Sequence, residues 1–191
     1  MDSIIILFIA GLVGLFAGMS KKPVASILIV SFGLIGAGLA AYYRGSYTSP
    51  FSTYAAYVPT QGIVIILLCA VTLLAILGGF KRYKSDDEHT GDYLGLILFS
   101  LCGAILMAQP NDLMLFFIGL EILSIPIYVL VGIDKGSSTS AEAAVKYFFT
   151  GSFASAIILF GIALLYGATG SFQLIEIQSN LAIGIWQSPM A

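Results

Sequence analysis

Residues Leu113 to Gly132 read LMLFFIGLEILSIPIYVLVG, an unbroken apolar run with a single charge, Glu121. A helix needs about 20 mostly apolar residues to cross about 30 Å of hydrocarbon. The run therefore reads as a membrane-spanning helix with an acid inside it. Five more stretches of the same kind surround it: Ile4 to about Met19, Val24 to about Tyr42, Ile63 to Phe80, about Tyr93 to Ala108, and Ala141 to Tyr166. The last is long enough to tilt or to project from the bilayer. The expectation is an all-α, polytopic transmembrane bundle of six spanning helices.

Composition points the same way. Of 191 residues, 59% are hydrophobic and 9% charged, with a mean hydropathy of +1.00. Soluble domains carry about 25% charged residues, so a soluble domain, a disordered chain and a disulfide scaffold are all excluded. The net charge is −2, which leaves no basic surface for nucleic acid. Cys69 and Cys102 both lie in apolar runs and read as small buried hydrophobes.

The chain divides into an N-terminal three-helix segment (1–92), a segment holding helices four to six (93–166) and a tail (167–191). The tail mixes apolar residues with Glu176, Gln178, Ser179 and Asn180. It reads as an interfacial segment anchored by Trp186, or as the approach to a further helix. Lys21, Lys22, Lys81, Arg82, Lys84 and Lys135 fall on one side of the membrane and Arg44 on the other. The positive-inside rule makes the first side cytoplasmic and the N-terminus external. Gly14 and Gly18 are spaced as GxxxG, and Gly151 and Ser155 as small-xxx-small, for close helix packing or a dimer seam. His89, in the mixed-charge run 81–89, has no second ligand cluster and reads as part of a solvated loop. No nucleophile set, CxxC pair, nucleotide loop, haem motif or iron–sulfur motif is present.

Two charges then stand inside apolar helices. Glu121 lies about eight residues into its helix, about 12 Å below the outer end and near the midplane. A charge there costs about 2.5–3.5 kcal/mol on insertion scales. Lys146 enters from the cytoplasmic end and is roughly 8 Å deep, so the two differ in depth by about 7–10 Å. That separation suits a water-bridged or switchable coupling better than a direct salt bridge. Low dielectric favours the neutral form of each group and proximity favours the charged pair. Such a pair is the minimum element of a proton relay. Ser124 and Ser152 offer hydroxyls nearby, and Pro126 deprives the Ile122 carbonyl of its helical donor, leaving a polar, hydratable kink. Glu142, one turn before Lys146, reads as a proton funnel at the cytoplasmic mouth or as an acid at a helix N-terminus. The bland alternatives are a hydrogen-bonded neutral acid at Glu121 and a snorkelling Lys146.

The run Phe116 to Leu130, FFIGLEILSIPIYVL, resembles the fifth helix of the antiporter-like membrane subunits of NADH–quinone oxidoreductase, respiratory complex I, those of the subunit N type above all. Ser140 to Phe148, SAEAAVKYF, followed by Gly151 to Ser155, is similar to that family's entry into helix six. The resemblance covers about residues 93 to 172. It implies a multi-pass, proton-pumping subunit of a bacterial plasma (inner) membrane that belongs to a translocating enzyme and carries no redox cofactor itself. NADH, FMN, iron–sulfur clusters and quinone are implied in partner subunits, and other complex I membrane subunits and the lipid bilayer as its surroundings. It further implies that Glu121 is central to a half channel and that Lys146 lies on the same hydrophilic axis. Members of that family have roughly fourteen helices built on inverted repeats, and their lysines on later helices have no counterpart here, so an N-terminal fragment is the expectation. A subunit of a multisubunit Na+/H+ antiporter and a short assembly or scaffold protein are the competing readings.

Overall fold

A computed structural model describes residues 2–19, 23–43, 59–79, 90–108, 111–134 and 136–184. Seven helices run through them: α1 (Asp2–Met19), α2 (Pro23–Tyr43), α3 (Pro59–Gly78), α4 (Thr90–Met107), α5 (Leu113–Val131), α6 (Ser138–Thr169) and α7 (Leu174–Gly184). Five of these, α2 to α6, are long and apolar enough to cross a membrane. The remaining expected span, α1, is apolar over Asp2–Gly18. At 1.5 Å per residue that is about 26 Å, short of the about 30 Å core. The cations that set the sidedness (Lys21, Lys22, Arg44, Lys81, Arg82, Lys84 and Lys135) lie outside the described residues, as do His89 and Trp186.

Local chemistry sets the helix ends. Pro23 and Pro59 open α2 and α3, where the missing amide hydrogen would have had no helical partner. Asp112 caps α5, its carboxylate accepting from the amides of Met114 at 2.7 Å and Leu115 at 3.2 Å. Ser137 caps α6 by accepting from the Ser140 amide at 3.3 Å, which starts the helix three residues before Ala141. The helix then stops at Gly170, whose left-handed φ of 71° suits a residue without Cβ. Spanning 32 residues, α6 is about 48 Å long and outreaches the hydrocarbon.

The core lies among α1, α2, α3 and α4, where Leu7, Val30, Leu34, Ile65, Leu94, Leu98 and Ile105 are buried. Small residues let the backbones meet. A Cβ on Gly18 would overlap the backbone of Gly91 on α4, and one on Gly14 would lie 2.9 Å from the Val30 side chain on α2. The GxxxG pair thus packs α1 against two helices of its own chain. Ser3 donates to the Ala37 carbonyl at 3.1 Å, and Cys102 Sγ lies 3.8 Å from that of Ile4. Interhelical bonds of this kind hold membrane bundles together.

On the flank of this core, α5 packs closely along α4, and α6 packs on α5 with Phe149, Phe153 and Phe160 exposed. The loop before α5 and the loop after α6 are joined. The Leu113 amide donates to the Phe172 carbonyl and the Leu174 amide to that of Asn111, both at 2.9 Å, around an isolated bridge of Asp112 with Gln173. In the tail, α7 folds against the end of α6, with Asn180 donating to the Thr169 carbonyl at 2.9 Å and Tyr166 stacked on Phe172 at 4.3 Å.

Candidate functional site: an acid inside a spanning helix

Helix α5 has three faces, each with its own chemistry. One meets α4, and there the backbones touch. A Cβ on Gly103 would fall 2.6 Å from the Gly119 carbonyl oxygen and 2.8 Å from the Ile122 carbonyl carbon, and closer still to the Leu123 nitrogen. Pro126 is buried and α5 runs unbroken through it. The Ser100 hydroxyl of α4 donates to the Leu123 carbonyl at 3.0 Å, the next carbonyl after the one that loses its donor to the proline. The bond therefore ties α4 to α5 beside the proline rather than supplying the donor that the Ile122 carbonyl loses. Sequence reasoning missed Ser100. Its signal was a lone hydroxyl in an otherwise apolar stretch of α4.

A second face, with Ile122, Ile125 and Pro126, borders an apolar cavity of about 350 Å³ shared with α1 and α4. The third face turns to α6. Tyr128 packs edge-on against Tyr147, at 5.1 Å between ring centroids, and Phe148, at 5.9 Å. Its hydroxyl occupies the place where a Cβ on Gly151 would be. Glu121 and Ser124 precede Tyr128 by seven and four residues, so all three share this face.

Glu121 is half-buried, and its Oε1 is fully enclosed with no hydrogen-bond partner among the described residues. Leaving a buried polar group unsatisfied costs about 1–3 kcal/mol, and such a group in a native fold calls for a cause, including a catalytic one. Lys146 is not brought to it. The Lys146 side chain is 74% exposed, with its ammonium 2.5 Å from Glu142 Oε1 one turn earlier on α6. Face and register explain why: Ala144, Tyr147, Phe148 and Gly151 meet α5, and Lys146 lies on the opposite side of α6. Gly132 abuts Ala144 across the helix pair, which sets Lys146 level with about residue 130, some 13 Å along the axis from Glu121. The expected buried glutamate–lysine axis is therefore not closed within these residues: the two charges lie farther apart than the expected 7–10 Å, and α5 covers little of Lys146. Ser152 is exposed on α6. Among the described residues no group of three His, Cys, Asp or Glu side chains could hold a metal ion, and Cys69 and Cys102 are both free and buried.

Residues 110–190 match the family model described as NADH:quinone oxidoreductase/Mrp antiporter, transmembrane. The chain is 36% identical over 185 residues to NADH-quinone oxidoreductase subunit N of Cytophaga hutchinsonii, an alignment covering 94% of this chain and 40% of the relative. It is 42% identical over 151 residues to that of Flavobacterium johnsoniae, covering 77% of this chain and 31% of the relative. The membrane-bound sulfane sulfur reductase, an archaeal respiratory membrane complex, contains a chain that superposes with a TM-score of 0.71 at 25% identity, over 94% of this chain and 40% of that one. Respiratory complex I from Thermus thermophilus contains another, with a TM-score of 0.64 at 26% identity, over 96% and 43%. The chain spans between about a third and two fifths of the length of these relatives. It is an integral membrane protein whose residues 110–190 match the NADH:quinone oxidoreductase/Mrp antiporter family and which is similar to subunit N along 94% of its own length.

Proposed function

We infer that this chain works as a proton-translocating membrane subunit of an NADH:quinone oxidoreductase in a bacterial plasma membrane, alongside other membrane subunits of that complex. The observation that carries the reading is Glu121, a lone acid two turns inside an apolar spanning helix with an enclosed and unpartnered oxygen. An intramembrane ionisable group is by default a functional one. Glu121 is the group that takes up and releases the proton, Lys146 the charge that modulates it, and Glu142 the acid at the cytoplasmic approach. Pro126 gives α5 the kink that keeps the Glu121 region hydratable. Residues 93–166 make up the first half of an antiporter-like repeat, residues 1–92 a three-helix segment before it, and residues 167–191 an interfacial tail or linker. Redox chemistry belongs to partner subunits that hold NADH, FMN, iron–sulfur clusters and quinone.

In this reading α1 crosses the membrane as the sixth span with the N-terminus outside. Ser3 and Ile4 bond to the far ends of α2 and α4 while Gly18 meets the near end of α4, so α1 runs alongside both over their depth. The six cations on one side of the sequence topology supply the orientation.

A Mrp-type Na+/H+ antiporter subunit is the second reading, because the matched family includes both. Affinity purification through a tag on this chain separates them. The complex reading predicts recovery of NADH:quinone oxidoreductase activity, with proton transport into reconstituted vesicles that requires NADH. Sodium-dependent proton exchange without any NADH requirement would overturn it in favour of the antiporter.

A further inference from the structure

A stripe of covered positions runs along α6 through Ala144, Gly151, Ser155, Ile158 and Ile162. The helix lying on it is α5, with Gly132 abutting Ala144 and the Tyr128 hydroxyl in the place of a Cβ on Gly151. Ser155 is the one polar side chain among these five, and its neighbours Ala154 and Ala156 are exposed. Glu121 precedes Gly132 by eleven residues and Ser155 follows Ala144 by eleven, three turns in each helix. In this antiparallel pair the two therefore come to one level, on facing sides. Beyond that level the same helices are tied again, by the backbone bonds between Leu113 and Phe172 and between Leu174 and Asn111.

Both groups are uncommitted. Glu121 Oε1 is fully enclosed by protein and has no hydrogen-bond partner among the described residues. Thr150 and Thr169, also on α6, donate to the carbonyls four residues back at 2.8 and 2.7 Å. Ser155 makes no such bond among the described residues, so its proton is free to go elsewhere. A serine hydroxyl turns among three staggered positions, one of which can be aimed at a group across the helix pair. On the reading of Glu121 given above, we propose that Ser155 is the positioning residue of that acid, its hydroxyl turning to donate to Glu121 Oε1 and holding the carboxyl in both protonation states. A bond to the ionised carboxylate is stronger than one to the neutral acid. Ser155 therefore favours release of the proton, and without it Glu121 holds the proton too tightly to cycle. The proton stays with the carboxyl and is never carried by Ser155.

The test uses the native complex in sealed vesicles, with Ser155→Ala, Ser155→Thr and Glu121→Gln measured in parallel for pumping and for infrared difference spectra with and without NADH. The Glu121 carboxyl band is the one missing from Glu121→Gln. Ser155→Ala keeps a small residue against α5 and removes only the oxygen, so a packing role predicts an unmoved band. The proposal predicts that the band moves to higher wavenumber as its C=O loses a donor, that protons pumped per NADH oxidised fall about threefold or more, and that Ser155→Thr restores both. An unmoved band in Ser155→Ala overturns the Ser155 role and leaves the Glu121 reading standing. Normal pumping by Glu121→Gln with no band missing overturns that reading, and the proposal with it. If Ser155→Ala does not assemble, Ser155→Cys, a much weaker donor of similar size, decides by the same band: a move upward supports the bond, and an unmoved band overturns it.

Discussion

Glu121→Gln is expected to lower NADH-driven proton pumping roughly tenfold while the complex still assembles. Glutamine has the size and hydrogen-bonding reach of a protonated glutamate, so α5 keeps its packing on α4 and α6. What it loses is the ability to exchange a proton, and with the exchange goes the role assigned to the enclosed oxygen. Pumping assayed in sealed vesicles, with assembly checked on native gels, separates the two effects. A fully assembled variant with wild-type pumping would remove Glu121 from the proton path.

The second large effect concerns stability. Gly103→Leu places a branched side chain where a single Cβ already collides with the α5 backbone at Gly119, Ile122 and Leu123. Backbone has no rotamer to escape into, so α4 and α5 must separate. The loss is about 3 kcal/mol. It should appear as a lowered Tm and reduced accumulation in the membrane, with pumping lost because Glu121 sits on the displaced segment. Gly161→Leu is the matched control: Gly161 on α6 faces open space, and the change there stays within about 0.5 kcal/mol. Equal thermal stability of the two variants would contradict the close packing of α4 on α5.

Apolar runs and a lone acid are local signals, and both were legible before any fold was known. The helix at Leu113–Val131 and the isolation of Glu121 follow from composition alone, because hydrocarbon admits little else. The contacts that shape the site are not local. Ser100 and the Leu123 carbonyl are 23 residues apart, and only the crossing of α4 on α5 brings them together. Gly151 reads from sequence as half of a packing motif, whereas its function in the fold is to admit the Tyr128 hydroxyl. Lys146 shows the opposite failure. Its spacing from Glu142 on one helix face gives the pair observed, but its burial depends on what lies against α6, which no local pattern states. The expected depth difference was too small because the register of α6 on α5 is set by Gly132 meeting Ala144, a contact between the two helices rather than a property of either. The helical part of the tail, α7, was equally obscured, since its anchors on Thr169 and Ser171 are side-chain bonds across a turn.

The central claim is that Glu121 gains and loses a proton during turnover. Infrared difference spectra of the native complex, recorded with and without NADH and compared with Glu121→Gln, test it most directly. The account predicts a carboxyl C=O band that changes during turnover and is missing from the variant. Identical difference spectra from the wild-type and Glu121→Gln complexes would contradict it.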